Sequence, residues 1–270
     1  MDILEKCVIS LEQVKKNRPL VHNITNYVTV NDCANMILAI GGSPIMADEA
    51  QEVEDMVSIA SSLVINMGTL NERTVASMIK AGKKANELRK PVIFDPVGVG
   101  AGPYRNRIAE RLLQEIEFTV IRGNMSEIKS LSGLAVQTKG VDSVADEAGG
   151  VEAAMGFAAK MSCIAAVTGK TDIITDGKEV CLIENGHPIL TGITGTGCMT
   201  TALVGTFCGA ENDYLAAASA GILSMGLAGE IAQKTLCGNE GIGTFRIRLF
   251  DTVYNLNAET MRKEGRIKSV

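Results

Sequence analysis

The segments Leu63-Val64-Ile65-Asn66 and Pro91-Val92-Ile93-Phe94-Asp95 decide the fold class of this 270-residue chain. Both are short, continuous apolar runs, which are typical of strands buried on both faces of a parallel sheet. Residues 71–89 between them have helical periodicity, and Thr69 or Asn71 can serve as the N-cap. This strand–helix–strand unit predicts a parallel sheet that is covered by helices.

The same kind of apolar run occurs twice more, at Thr119-Val120-Ile121-Arg122 and at Ile164-Ala165-Ala166-Val167-Thr168. Each is separated from its neighbours by a segment long enough for a helix, so both are predicted strands of the same sheet. Farther along, Thr171–Ile174 and Lys178–Ile183 flank Asp176-Gly177, which predicts a β-hairpin.

The rest of the chain is predicted to end in helices, at about residues 196–210, 213–236 and 243–263. No linker, repeat or low-complexity segment interrupts it. We therefore expect an α/β protein with a three-layer α/β/α sandwich and a mostly parallel central sheet, formed by residues 1–270 as a single domain.

Composition excludes several classes of function. Hydrophobic residues make up 46% and charged residues 21% of the chain, as in ordinary globular proteins with a sizeable core. The net charge is −5 and no basic run is present, which argues against a nucleic-acid partner. The apolar stretch Tyr214–Gly229 is shorter than the roughly 20 residues of a membrane span, so we expect it to be buried and expect no membrane segment.

The cysteines and the N-terminus bear on location. Seven cysteines occur without any CxxC pair, which supports neither a zinc site nor a disulfide framework. The first residues are charged and lack an apolar signal region. We therefore expect a reducing, cytoplasmic compartment.

A glycine-rich segment, Gly192-Ile193-Thr194-Gly195-Thr196-Gly197-Cys198, precedes the apolar run Met199–Val204. Closely spaced glycines let backbone N–H groups approach an anion at the start of a helix. The helix dipole would add to the stabilisation of a transferring phosphoryl group. The alternative interpretation is a tight turn into a core helix. Elsewhere, Gly169-Lys170-Thr171 lacks the leading glycine of a Walker A loop.

Polar residues stand where the predicted strands end: Asp95, Arg122 and Thr168. In open α/β sheets ligands bind at that edge, so these residues outline one site. Asp95 is either a cap or a carboxylate that helps to hold hydrated Mg²⁺. Glu127 either completes a capping box with Asn124 or lies near the same ion, with Arg122 on ATP. Both roles of Glu127 can hold together.

Two segments near the N-terminus are candidates for a pocket wall. His22-Asn23-Ile24-Thr25-Asn26 is a polar segment that is either a structural loop or one wall of a ligand pocket. Gly42-Ser43-Pro44-Ile45-Met46 is predicted to be a short strand entered by glycine. Met46 suits either the core or the soft wall of a small aromatic ligand. Because the chain has only two histidines, a histidine metal triad is not expected.

Taken in order, these motifs closely resemble the hydroxyethylthiazole kinases of the ribokinase-like superfamily. The resemblance rests on the two segments just described, on Asn66-Met67-Gly68-Thr69-Leu70, on Asp95-Pro96-Val97-Gly98, on Ile121–Asn124 with Glu127, and on Gly195–Cys198. It covers nearly the whole chain. It implies ATP-dependent phosphorylation of 4-methyl-5-(2-hydroxyethyl)thiazole in thiamine salvage, with Mg²⁺ as cofactor.

The resemblance also implies a homotrimer with active sites at subunit interfaces, and it assigns roles to individual residues. The residues implied to line the thiazole pocket are Asn26, Met46 and Gly195. Those implied to contact ATP are Arg122 and Thr168, and those implied to serve the metal are Asp95 and Glu127.

Cys198 is the implied catalytic residue, and it departs from the wider superfamily, where the corresponding position after Gly-x-Gly is usually Asp. A helix N-terminus can lower a thiol pKa from about 8.5, so Cys198 could accept the substrate proton. It could instead mainly position the substrate, because phosphoryl transfer depends largely on positioning and charge stabilisation. Two alternative functions stay open: another ribokinase-like kinase, such as a hydroxymethylpyrimidine kinase, and a thiazole-binding protein without catalysis.

Overall fold

The computed structural model describes residues 1–135 and 147–270. Its strands form one nine-stranded sheet in the order β2-β1-β3-β4-β5-β6-β7-β8-β9. The strands are β1 Leu20–Ile24, β2 Ser43–Ile45, β3 Ser62–Asn66, β4 Val92–Asp95, β5 Val120–Asn124, β6 Ile164–Thr168, β7 Asp172–Thr175, β8 Val180–Ile183 and β9 Ile267–Ser269. Pairing is parallel from β2 to β6 and antiparallel from β6 to β9.

Helices cover both faces of this sheet and form two separate apolar cores. On one face lie α1 Ile3–Asn17, α2 Val30–Ile40, α8 Thr196–Cys208, α9 Tyr214–Lys234, α10 Ile242–Asn255 and α11 Ala258–Glu264. On the other lie α3 Val53–Ile59, α4 Glu72–Glu87, α5 Pro103–Glu115, α6 Met125–Ala135 and α7 Glu147–Met161. The predicted three-layer α/β/α sandwich is confirmed.

The unit that predicted the fold has the expected local chemistry. Asn71 is the N-cap of α4, and its side chain accepts from the Thr74 amide at 3.0 Å while Thr74 Oγ1 accepts from the Asn71 amide at 3.4 Å. This reciprocal pair satisfies two amides that the helix itself leaves unpaired. The helix therefore begins where it can turn the chain back into β4.

Two local predictions were wrong in detail. His22 and Asn23 are buried residues inside β1 rather than part of a loop. The predicted hairpin exists, but its strands are joined by residues 176–179. Asp176 Oδ1 accepts from the backbone amides two and three residues later, at 2.8 and 2.7 Å, so the turn needs more than Asp176-Gly177.

The predicted C-terminal helix at 243–263 is also two helices. Leu256 adopts an extended conformation, and Asn257 accepts from the Thr260 amide at 2.9 Å as the N-cap of α11. The chain then adds β9 to the sheet, which was not predicted.

Helix α9 is long and apolar enough to cross a membrane by composition, but it is the central core helix, with 94% of its apolar window buried. All seven cysteines lie in the described part of the chain, and none is paired in a disulfide.

Candidate active site

Neighbouring strands bring polar side chains to one face of the sheet at its carboxyl edge. Asn66 at the end of β3 is paired in register with Asp95 at the end of β4, and Arg122 on β5 stands level with Asp95. The residues two positions earlier on these strands pack in the core beneath α8: Val64, Ile93 and Val120. Because side chains alternate along a strand, the three polar side chains also face α8.

Asp95 is a buried carboxylate, with only 1% of its surface exposed. Its Oδ2 atom accepts from Asn66 Nδ2 at 2.8 Å and from Thr201 Oγ1 of α8 at 2.7 Å. Its Oδ1 atom is buried and has no hydrogen-bond partner in the described part of the chain. Burial raises the pKa of Asp95 to about 6, against the opposing effect of the Arg122 charge and the two hydrogen bonds.

Asn66 connects Asp95 to the loop that follows β1. Its Oδ1 atom accepts from Asn26 Nδ2 at 3.0 Å and from the Gly68 amide at 2.9 Å. Asn26 Nδ2 also donates to Cys198 Sγ at 3.3 Å. A hydrogen-bonded chain therefore runs from the thiol, through two side-chain amides, to the buried carboxylate.

Cys198 lies in the first turn of α8 and is half-buried. Burial and then the neighbouring Asp95 charge raise the pKa of the thiol, and hydrogen bonds with Thr29, Asn66 and Asn26 offset this only in part. The net shift is therefore opposite to the lowering that a helix N-terminus can produce, and the catalytic role of Cys198 stays a prediction.

Two glycines beside Cys198 pack closely against side chains of neighbouring elements. Gly195 has φ of +87°, which favours glycine, and a Cβ there would lie 2.3 Å from Thr29 Cγ2. A Cβ at Gly197 would lie 2.8 Å from Arg122 Nη1. The first turn of α8 thus packs closely on Arg122, and its amides have no acceptor within the helix.

Arg122 and Thr168, both predicted as ATP ligands, are in contact. Arg122 Nη2 donates to Thr168 Oγ1 at 2.6 Å, while the buried Nε atom of Arg122 has no hydrogen-bond partner within residues 1–135 and 147–270. The guanidinium therefore lies between the end of β6 and the start of α8, with a donor still available.

Glu127 forms the predicted capping box and also fixes a second loop. Its Oε2 atom accepts from the Asn124 amide at 2.9 Å, and Asn124 Oδ1 accepts from the Glu127 amide at 2.9 Å. Its Oε1 atom accepts from the Gly98 amide at 2.9 Å. The carboxylate therefore joins α6 to the loop that follows Asp95, and its charge contributes to the raised Asp95 pKa.

Met46 follows β2 and lines a cavity of about 250 Å³ beyond the end of β1. The cavity is also lined by Asn23, Thr25, Tyr27, Val30, Asp48, Thr69, Asn71, Arg73 and Thr74. Neither Asn26 nor Cys198 is among the lining residues. The predicted residues therefore form two adjacent groups, one around Cys198 and one around this cavity.

Three residues of this arrangement had no predicted role. Asn66 belongs to a motif that carries the family resemblance, but it received no role of its own. Thr201 lies in a helix whose apolar composition is typical of a core helix. Arg105 on α5 donates to the carbonyls of Met67 and Val97 at 2.7 Å and of Gly68 at 2.6 Å, which ties the loops after β3 and β4 together. A polar residue within an apolar helix was the available signal for Thr201; none existed for Arg105.

Metal binding depends on the side-chain donor atoms that the site offers. Within residues 1–135 and 147–270 there is no cluster of three or more His, Cys, Asp or Glu side chains that could enclose a metal. The unpartnered Asp95 Oδ1 and the Glu127 carboxylate instead suit an ion that takes one or two carboxylates, with its other ligands from phosphate and water.

Comparison with known proteins agrees with this geometry. The profile of the hydroxyethylthiazole kinase family matches residues 11–259. A hydroxyethylthiazole kinase of Clostridium beijerinckii is 54% identical, over 96% of this chain and 96% of its own length. One of Alkaliphilus oremlandii is 53% identical, over 98% of each chain.

Solved structures give the same result. The structure of a hydroxyethylthiazole kinase protein from Pyrococcus horikoshii has a TM-score of 0.90 and 36% identity, covering 98% of this chain and 99% of its own. A ribokinase-like superfamily protein from Enterococcus faecalis, 14% identical over 89% of this chain and 88% of its own, has a TM-score of 0.61 and shares the fold.

Proposed function

The chain belongs to the hydroxyethylthiazole kinase family, and we propose that it transfers the γ-phosphoryl group of ATP to the hydroxyl of 4-methyl-5-(2-hydroxyethyl)thiazole. The observation that carries this proposal is the hydrogen-bonded chain from Cys198 to Asp95 beneath the glycine-rich start of α8. The product would enter thiamine salvage. The whole chain acts as one kinase domain, and its free cysteines support a cytoplasmic location.

Phosphoryl transfer requires that the two reactants be aligned and that phosphate charge be stabilised. Arg122 and Thr168 would hold the ATP phosphates, with Arg122 using the Nε donor that has no protein partner. The first amides of α8, at Gly195–Gly197, would stabilise the charge on the transferring group. The hydroxyl oxygen attacks the γ-phosphorus as the bond to the β–γ bridging oxygen breaks. The hydroxyl proton passes to an oxygen of the transferred phosphoryl group, and ADP leaves.

Cys198 would contact the substrate hydroxyl together with Asn26. Because burial and the Asp95 charge raise the pKa of the thiol, we assign it the role of orienting that hydroxyl rather than removing its proton. A largely dissociative transition state needs little proton removal before the phosphorus–oxygen bond forms. This favours the positioning role among the two that the sequence left open.

Asp95 and Glu127 would hold Mg²⁺ between the protein and the phosphates. Asp95 Oδ1 is buried without a partner, and both Glu127 oxygens keep a lone pair beyond the single amide each accepts from. When bound, Mg²⁺ would neutralise part of the phosphate charge. Asn66 and Thr201 hold the Asp95 carboxylate in place through its other oxygen.

The family resemblance also implies a homotrimer with active sites at the interfaces, and exposed apolar side chains support it. Tyr27 and Val28, just after Asn26, are 79% and 55% exposed, and Ile247 and Tyr254 on α10 are 61% and 69% exposed. Tyr27 and Val28 lie just before α2, and α2 packs against α10. Apolar surface beside a site is typical of an interface.

The kinase proposal is tested by product identity. Phosphorus NMR of a reaction with ATP, Mg²⁺ and the thiazole alcohol should show one new phosphate monoester for each ADP. ADP formed with inorganic phosphate alone would contradict it. Sedimentation should give three times the 28.5 kDa chain mass. Ile247→Glu should reduce that mass and the activity together, while Ile59→Glu, on the distant helix α3, should change neither.

A further inference from the structure

Asn23 is a polar residue in a layer of the sheet that is otherwise apolar. It is paired in register with Val64, and Val64 is paired with Ile93. Both of these neighbours belong to the apolar core beneath α8, as does Val21, which shares the Asn23 face of β1. Asn23 therefore lies one layer deeper than Asn66 and Asp95, where the neighbouring strands place only apolar side chains.

The Asn23 side chain makes no hydrogen bond with any residue that the structure describes. It is only 2% exposed, yet neither Oδ1 nor Nδ2 has a partner there. The neighbouring buried His22 is half satisfied, because its Nε2 atom bonds the Ala47 carbonyl at 2.8 Å while its Nδ1 atom has no partner among the described residues. A buried amide that pairs with nothing destabilises the free protein, so its presence calls for a ligand or another role.

Asn23 lines the cavity that Met46 also lines, and this cavity holds about 250 Å³. That is below the range of about 300–1,000 Å³ for pockets of drug-sized ligands, so the cavity suits one small ring rather than a nucleotide. Met46 offers the polarisable sulfur that favours an aromatic ring. Asn26, which follows Asn23 by three positions, contacts the Cys198 thiol at the other end of the site.

We propose that Asn23 determines ring specificity by donating its Nδ2–H to the thiazole ring nitrogen. This inference rests on the proposed kinase function. It adds a residue that binds the thiazole ring, the part of the substrate that does not react. The ring nitrogen is the one strong hydrogen-bond acceptor of a thiazole, and an amide presents a donor beside an acceptor. Binding then satisfies the donor that the free protein leaves unpaired.

The experiment compares the thiazole alcohol with its thiophene analogue, in which the ring nitrogen is replaced by C–H. It uses wild-type protein, Asn23→Leu, which keeps a similar side-chain volume, and Ser219→Ala. The last is the control, because it removes another buried polar group, in α9 and outside the cavity. The readouts are kcat and KM for each alcohol, and the Tm of each unliganded protein.

We expect the wild type to prefer the thiazole about tenfold or more in kcat/KM, since the thiophene leaves the amide unpaired. In Asn23→Leu the preference should fall to within about threefold, through a higher KM for the thiazole, with the thiophene unaffected. The Tm of unliganded Asn23→Leu should equal or exceed that of the wild type. Ser219→Ala should keep the wild-type preference.

Two results would overturn this inference. An equal kcat/KM of the wild type for both alcohols would contradict the role of Asn23 without any variant, and would leave the proposed kinase function intact. An unchanged preference in Asn23→Leu, with a Tm several degrees lower, would show that the amide has a structural role. Absence of activity with either alcohol in the wild type would instead contradict the proposed function.

Discussion

Asn26 donates its side-chain Nδ2 to the Sγ atom of Cys198 at 3.3 Å, across 172 positions of sequence. The oxygen of the Asn26 side-chain amide is hydrogen-bonded as well, because Oδ1 accepts from the backbone amides of Val28 and Thr29 at 3.1 and 3.2 Å. The loop after β1 and the start of α8 are therefore held in one geometry. Whatever binds beside the thiol meets a site that is already formed.

Replacing Cys198 with alanine should slow turnover by about 10- to 100-fold, because the substrate hydroxyl loses the group that orients it. Thiazole affinity should change by no more than about threefold, since the ring contacts lie elsewhere. Cys198→Asp should keep or raise kcat, because a carboxylate can orient the hydroxyl and in addition accept its proton. Steady-state kinetics with thiazole binding by calorimetry measure both effects, and wild-type turnover in Cys198→Ala would remove Cys198 from the mechanism.

Gly197→Ala should weaken ATP binding, since the new Cβ would lie 2.8 Å from Arg122 Nη1 and displace the guanidinium. We expect the KM for ATP to rise by about tenfold or more while thiazole affinity holds. Gly243→Ala is a matched control: it is also the second residue of a helix, and its Cβ would meet nothing within 4 Å. An equal KM for ATP in both variants would argue against Arg122 as a phosphate ligand.

Arg105→Lys should lower kcat by about tenfold, because one ammonium group cannot hold the three carbonyls that the guanidinium spans. The loops after β3 and β4 carry Asn66 and Asp95 and would lose their common anchor. Arg107→Lys, on the same helix and stacked on Tyr104, serves as the control and should leave kcat unchanged. A lower Tm with unchanged kcat in Arg105→Lys would limit the role of this residue to stability.

Asp172→Asn should stabilise the protein above about pH 6 and have no effect near pH 4. Burial raises the pKa of Asp172 from 3.8 to about 6, although its Oδ1 atom accepts from the Gly169 amide at 2.9 Å. Between those pH values the folded state keeps a proton that the unfolded chain releases, so wild-type stability falls as the pH rises. Asparagine keeps the hydrogen bond without the charge.

The Asp172→Asn advantage should grow from about pH 4 to pH 6 and then stay constant at about 1–3 kcal/mol. Urea unfolding of both proteins across this range measures it. A difference that is the same at pH 4 and pH 7 would show that ionisation of Asp172 is not its cause.

The sequence predicted the layers of the fold because continuous apolar runs such as Leu63–Ile65 have few alternatives to a buried strand. It failed where polar residues enter the sheet. His22 and Asn23 look like a loop by composition, yet they lie in β1, where burial depends on what the whole fold places around them. The break at Leu256 was missed because the residues on both sides have good helical periodicity.

The residues of the site also divide into those that the sequence predicted and those that it did not. Topology alone predicted Asp95, Arg122 and Thr168, since residues that end parallel strands meet at one edge of the sheet. The roles of Met46, Asn26 and Gly195 came from the family resemblance. Arg105 could not be predicted, because its carbonyl partners come within reach only in the folded chain. For Thr201 the sequence offered only a polar residue within an apolar helix, and its partner Asp95 is set by the fold.

The most direct test of the account is ADP release by the purified protein with ATP and Mg²⁺ in three parallel reactions. These contain the thiazole alcohol, hydroxymethylpyrimidine or no alcohol. We predict release only with the thiazole alcohol. Release only with the pyrimidine would assign the chain to a different ribokinase-like activity, and no release from folded protein that still binds the thiazole would show a binding protein and contradict the central claim.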